Sequence, residues 1–215
     1  MWKIEKFDLL VALYIFCLLV SELMGGKTFF VAQIGGFPLN ASVAIFLLPV
    51  IFGINDVITE VHGKERAKSV VRSGLLVVFL MVLFSLLAIS LPPSARFSPR
   101  EAAYDSIFTT SIRIAIASLT ALAIAEFTDV FIFAKLRQRL GKSRLWLRNN
   151  VSNILSQLLD TVIFMFLAFY ALDKTFDNNL VFLLGIITPY WLLKCFMSVI
   201  ETPFVYLGVK WLKQK

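Results

Sequence analysis

The sequence predicts an all-α polytopic membrane protein of six transmembrane helices, both termini cytoplasmic, forming a single domain over residues 1–215. Three observations predict it. Mean hydropathy is +0.82, with 59% of residues hydrophobic and 16% charged, which leaves too little charge to cover a soluble core. Six apolar runs are each of a length to cross a hydrocarbon layer of about 30 Å, for which roughly 20 helical residues are needed. Most basic residues fall in the short connectors between these runs.

The first run, Phe7–Met24, follows Lys3 and Lys6 in the manner of a signal peptide. It is long, however, and ends in SELMGG without a small-x-small cleavage site, so it is expected to stay as an uncleaved first span. The connector GGKTFFVAQIGGFPLN has Gly or Pro at five of sixteen positions and reads as a turn or interfacial segment. Ala41–Val61 and Gly74–Leu91 follow as the second and third spans, and PPSARFSPR then breaks the chain. Ile107–Phe133, Val151–Leu172 and Leu180–Leu207 complete the set. Barrel strands would alternate over segments of about ten residues. These runs do not alternate, and helices satisfy their own backbone in lipid.

Orientation follows from the cations. The amino terminus, the second and fourth connectors and the tail carry fifteen Lys and Arg, against four (Lys27, Arg96, Arg100 and Lys174) in the opposite connectors. The richer side is cytoplasmic. The net charge of +7 therefore reports topology, and no nucleic-acid partner is expected. Cys17 and Cys195 both lie in apolar runs and suggest packing, with no disulfide framework or CxxC motif. The one histidine, His62, leaves no material for HExxH zinc sites, His-based triads or haem ligation, and no Gly-rich phosphate loop is present. No cofactor is expected. Asp56, Asp129 and Glu201 recur at intervals of 73 and 72 residues, each followed by Lys or Arg. This is either an internal repeat or the consequence of even-numbered spans ending in basic connectors.

Seven of the fourteen acidic residues lie in or at the ends of spans: Glu22, Asp56, Glu60, Glu126, Asp129, Asp160 and Glu201. An ionisable group near the bilayer centre costs about 2.5–3.5 kcal/mol on insertion scales, so their number calls for compensation or use. Glu22 reads as a headgroup-level residue. Asp56 and Glu60 share a helical face at i, i+4 and repel each other. They are expected to face the bundle interior at the cytoplasmic end, compensated by cations of the next connector or by a proton. In the fifth span Asn153, Gln157 and Asp160 fall at i, i+4 and i+7, one polar stripe reaching the midplane. It suits either an interhelical hydrogen-bond seam or a polar solute. In the fourth span Ala117, Ala121 and Ala125 form a small-residue packing seam, and Glu126 and Asp129 lie about 60° apart at helical pitch. Arg113 points about 160° away from Asp129 and is available to Glu22 or to the outer mouth. In the sixth span Lys194, Ser198 and Glu201 again share one face, and Lys194 is long enough to reach an acid such as Asp160, which lowers the cost of burying both.

Taken together, LPVIFGINDVITEVHG, RIAIASLTALAIAEFTDVFIFAKLRQ and NVSNILSQLLDTVIFMFLAF resemble the queuosine precursor transporter family, also known as the vitamin uptake transporters. The resemblance runs from the Gly-rich connector to Lys194. It implies a multi-pass protein of the bacterial inner membrane that imports 7-deazapurines, such as 7-cyano-7-deazaguanine and 7-aminomethyl-7-deazaguanine, and that is not an enzyme. It carries Asn153, Gln157, Asp160, Glu126, Asp129, Lys194 and Arg113 as substrate-binding positions, and Asp56 and Glu60 from the second span. Those two and Glu201 are assigned to coupling or gating. Two departures are visible: positions 46–49 read FLLP where a proline is expected earlier, and His62 stands where an aromatic is usual. Expected partners are the small-molecule substrate and the lipid bilayer, with a homodimer as a further expectation for so small a chain. Two other readings share the composition: a substrate-binding subunit of an ATP-driven vitamin uptake system, and a membrane enzyme using paired carboxylates.

Overall fold

The computed structural model describes the backbone of residues 4–140 and 145–213, with side chains except at 37, 126–127, 129–131, 133–134, 136–140, 145–153 and 195–202. The chain is mostly helical. Helix α1 spans Lys6–Met24, followed by strands β1 (Thr28–Ile34) and β2 (Phe37–Ser42) and a short 3-10 helix, Val43–Phe46. Then come α2 (Leu48–His62), α3 (Lys64–Ser90), α4 (Glu101–Leu140), α5 (Leu145–Phe169) and α6 (Phe176–Lys213).

Among the described residues, five helical segments are long and apolar enough to cross a membrane: Lys6–Met24, Val43–His62, Lys64–Ser90, Ser98–Ala125 and Phe176–Lys194. Exposed Phe16, Phe79, Leu80, Phe84 and Leu87 stud their surfaces. In water such a surface would drive aggregation, whereas in a bilayer it is the solvent-facing side. The protein is therefore a multi-pass membrane protein. Within α5 the apolar stretch of described residues, Ile154–Phe169, is shorter.

The connector expected to be a turn or interfacial segment is a β-hairpin, so the fold is not purely α-helical. Its reason is local: Gly35 (φ 57°) and Gly36 (φ 85°) supply the two left-handed residues of a tight hairpin turn, and TFFVAQI is rich in strand-forming residues. The second helix accordingly starts later than Ala41. Ser42 closes the strand by donating from Oγ to the carbonyl of Gly25 at 2.5 Å and accepting from the Ala44 N–H at 3.2 Å. Pro49 then occupies the first turn of α2, where its missing N–H loses nothing. Helix α3 begins at Lys64, ten residues before the apolar run at Gly74, because Gly63 turns the chain with φ 83° and KERAKSVVRS continues as helix.

By internal contacts the chain divides into two compact units. The first comprises 1–29, 42–115 and 196–215. Tyr14, Cys17, Ile51, Ile54, Ile58, Ala67 and Val70 form its core where α1, α2 and α3 meet. Close approach depends on small residues: a Cβ on Gly74 would lie 2.8 Å from Leu18, and one on Gly208 would lie 2.7 Å from Val57. Ser111 of α4 donates to the Leu23 carbonyl at 2.8 Å, satisfying one of the carbonyls at the end of α1.

The second unit comprises 30–41 and 116–195. It buries Ala117, Ala121 and Ala125 of α4, Met165 and Ala168 of α5, and Leu183, Ile186, Ile187 and Tyr190 of α6. The small-residue seam is thus buried along its length. Asn179 organises the α5–α6 connection, accepting from the Ala171 N–H at 2.9 Å and donating to the Ala171 carbonyl at 2.8 Å. The hairpin seats on α6 where Gly185 lacks a side chain: a Cβ there would lie 2.4 Å from the Pro38 carbonyl oxygen. Gly185→Val should push β2 off the helix. We expect a fall in apparent melting temperature on the order of 5 °C, from about 1–3 kcal/mol of overpacking, read by thermal unfolding of the purified protein in detergent; an unchanged midpoint would refute the contact.

Candidate functional site

Helix α5 brings Asp160 to the sixteenth of its 25 residues, and α6 brings Lys194 to the middle of its 38. The two side chains meet. Lys194 Nζ donates to Asp160 Oδ2 at 2.5 Å, with the side chains 14% and 25% exposed respectively. The reach from Lys194 to Asp160 expected from the sequence is therefore present. Mutual neutralisation lowers the cost of holding both charges in a low-dielectric interior, while Oδ1 of the carboxylate and two ammonium protons keep capacity for other partners.

Around this pair lie further polar and aromatic groups of the same unit. Gln157, one turn before Asp160, has an exposed side chain, and its carbonyl accepts from Thr161 Oγ1 at 2.8 Å. Phe164 lies one turn after Asp160 and packs edge-on against Phe169, ring centroids 6.2 Å apart. On α6, Trp191 lies three residues before Lys194, on the same side of the helix. Its indole nitrogen is buried and has no hydrogen-bond partner. The side chains of Glu126, Asp129, Asn153 and Glu201 lie outside the described residues.

Asp56 and Glu60 belong to the first unit, and there the expected compensation is corrected. Helix α2 packs on α1 and α3 through Ile51, Ile54 and Ile58, whereas Asp56 and Glu60 are exposed, on the side roughly opposite Ile54 and Ile58 at helical pitch. Two of the connector cations are engaged elsewhere: Lys68 pairs with Glu65 at 3.3 Å, and Arg66 lies 4.9 Å from the Phe7 ring centroid. His62 meets the same ring edge-on at 4.6 Å. Among the described residues neither acid has an ion-pair partner. Glu22, two residues from the end of α1, is buried in the protein at 5% exposure. Arg113 is exposed on α4, and both it and Glu22 have partners.

Two polar groups escaped sequence reasoning. Asp105 lies in α4, two residues before the fourth span expected from the sequence begins at Ile107, and one carboxylate oxygen is buried without a partner among the described residues. The other is the indole N–H of Trp191. Among the described residues no three His, Cys, Asp or Glu side chains gather as a metal site would need. A depression of about 530 Å³ lined by Ser94, Arg96, Phe97, Pro99 and Arg100 includes none of the candidate substrate-binding or gating residues.

Residues 42–208 match the family model described as "Putative vitamin uptake transporter". The chain belongs to that family. It is a family of transporters, not of enzymes. A "Probable queuosine precursor transporter" of Bacillus subtilis (strain 168) is 31% identical over 178 residues, covering 81% of this chain and 74% of the relative. One of the same description from Haemophilus influenzae (strain ATCC 51907 / DSM 11121 / KW20 / Rd) is 26% identical over 168 residues, covering 76% and 66%. The "Queuosine precursor transporter" of Escherichia coli (strain K12) is 30% identical over 132 residues, covering 61% and 56%. No solved structure matches the chain.

The pair is testable by a double-mutant cycle. Asp160→Asn leaves an ammonium without its counter-charge, and Lys194→Met leaves a carboxylate. Each should lower the thermal midpoint in detergent, and the double variant should recover much of the loss, with a coupling of about 0.5–3 kcal/mol. Strictly additive losses would contradict the contact.

Proposed function

We propose that this protein imports queuosine precursors, 7-cyano-7-deazaguanine, 7-aminomethyl-7-deazaguanine or related 7-deazapurines, across the bacterial inner membrane. The observation that carries the reading is the half-buried Asp160–Lys194 pair between α5 and α6, in a chain whose family and curated relatives transport vitamins and queuosine precursors by name. A 7-deazaguanine presents a ring N–H and an exocyclic amino group side by side, which one carboxylate accepts in a bidentate arrangement. Its carbonyl oxygen needs a donor. Asp160 takes the first role, and an amide or cation takes the second, with Gln157, Asn153 and Lys194 as the donors of the stripe. Phe164 and Trp191 supply flat apolar surface. Glu126, Asp129 and Arg113 of α4 are assigned to the same substrate.

The transport cycle in this reading is alternating access around a site near the bilayer midplane. Six spans carry it, both termini cytoplasmic. Helix α5, at 25 residues, is about 37 Å long, enough to cross the hydrocarbon layer as the sixth span. Asp56, Glu60 and Glu201 serve coupling or gating. The coupling ion in this reading is a proton.

Asp160→Ala should abolish uptake of radiolabelled 7-cyano-7-deazaguanine by cells while leaving the amount of protein in the membrane unchanged. Uptake that survives the substitution would show that the polar stripe has been misassigned. Purified protein in proteoliposomes should take up the compound without an ATP-driven module, and should respond to an imposed pH gradient. Uptake that needs such a module would convert the protein to a binding subunit, and indifference to the gradient would remove the proton.

A further inference from the structure

Buried indole N–H groups ordinarily find an acceptor, because the site that hides them from water has withdrawn their solvent partner. Trp191 Nε1 has none. Its position makes the lack informative. Trp191 is three residues before Lys194, displaced by about 4.5 Å along α6 and about 60° around it, so it neighbours the one described ion pair that joins α5 to α6. Lys194 already spends its charge on Asp160 Oδ2 at 2.5 Å, and the nearby hydroxyl of Thr161 is committed to the Gln157 carbonyl. The indole N–H beside the pair is buried and entirely unspent among the described residues.

We propose that Trp191 is a specificity-determining residue, its indole N–H donating a hydrogen bond to the ring carbonyl oxygen of the heterocycle whose N–H groups Asp160 accepts. The inference rests on the reading of the Asp160–Lys194 pair as the substrate site. On the edge of a 7-deazaguanine the carbonyl adjoins the ring N–H, so an acceptor on α5 and a donor on α6 read the two neighbouring groups from the two helices. A heterocycle with an amino group in place of that carbonyl offers the indole a second donor, leaving the N–H buried and unpaired. Sites built on such a donor reject the mismatched analogue much more strongly than an apolar wall does. The aromatic face of Trp191 supplies contact area; its nitrogen supplies the discrimination.

The test uses the full chain in detergent micelles with ¹⁵N-labelled tryptophan. Of the four indole signals, that of Trp191 is assigned by its loss in Trp191→Phe or, should that variant not fold, by replacing the other three tryptophans with Phe. Saturation with 7-cyano-7-deazaguanine should move the Trp191 indole proton downfield, as a new hydrogen bond does. Trp191→Phe, which keeps the ring and removes the donor, should weaken binding of the same compound about tenfold, as loss of one buried hydrogen bond predicts. An indole signal that does not move at saturation overturns the proposal, as does a Trp191→Phe affinity within twofold of wild type. If the wild-type protein binds no 7-deazapurine at all, the proposed function fails and this inference with it; binding with an unmoved indole removes only the role of Trp191.

Discussion

A carboxylate and an ammonium are each expensive in a low-dielectric interior, and the Asp160–Lys194 contact is how this protein holds both at the centre of two apolar helices. Opposite charges at 2.5 Å offset a large part of each other's desolvation, though seldom more than all of it. Such a pair does not commend itself on stability grounds alone. A leucine facing a methionine would hold α5 and α6 together as well. What the pair adds is a neutral but strongly polar locus with one carboxylate oxygen and two ammonium protons unspent, half-shielded from solvent. That combination suits a small heterocycle with alternating donors and acceptors better than it suits a structural rivet.

The rest of the second unit is arranged compatibly with that locus. Buried alanines on α4 and Gly185 on α6 permit close backbone approach, the latter to a β-hairpin instead of another helix. Non-helical backbone at membrane depth is tolerated where protein covers it or a wet cavity faces it, and Gly185 sits well inside the apolar window of α6. Pro189, four residues later, withholds the N–H that would otherwise bond to the Gly185 carbonyl. The helix therefore lacks one backbone hydrogen bond shortly before Trp191 and Lys194. In the first unit the corresponding work is done by plainer means: a core of Tyr14, Ile51, Ile54, Ile58 and Val70, with the cations of the α2–α3 connector spent on Glu65 and on the face of Phe7.

Much of this was legible in the residues because lipid imposes a simple code. Twenty apolar residues make a span, basic connectors lie inside, and a polar group that persists within a span has a partner or a use. That reasoning found the membrane class and the reach of Lys194 to Asp160. It failed where the code is degenerate. GGKTFFVAQIGGFPLN was read as a turn or interfacial segment because glycines dominated the reading, although a Gly-Gly pair between β-branched and aromatic residues is also a hairpin signal. Asp56 and Glu60 were assigned connector cations or a proton as compensation because the basic residues are near in sequence, but in α3 Lys68 meets Glu65 and Arg66 meets Phe7.

The sequence by itself determined that this chain lives in a membrane, roughly where its helices run, and which family it resembles, since hydropathy and short motifs are local properties that survive any arrangement of the helices. Only the tertiary structure decided that Asp160 meets Lys194 from 34 residues away, that the exposed side of α2 carries its two acids, and that the Trp191 donor is buried and unmatched. In a bilayer the helix face toward lipid is as apolar as the face toward protein, so periodicity cannot tell them apart. Which faces touch is fixed by the fit of side chains between helices far apart in the chain.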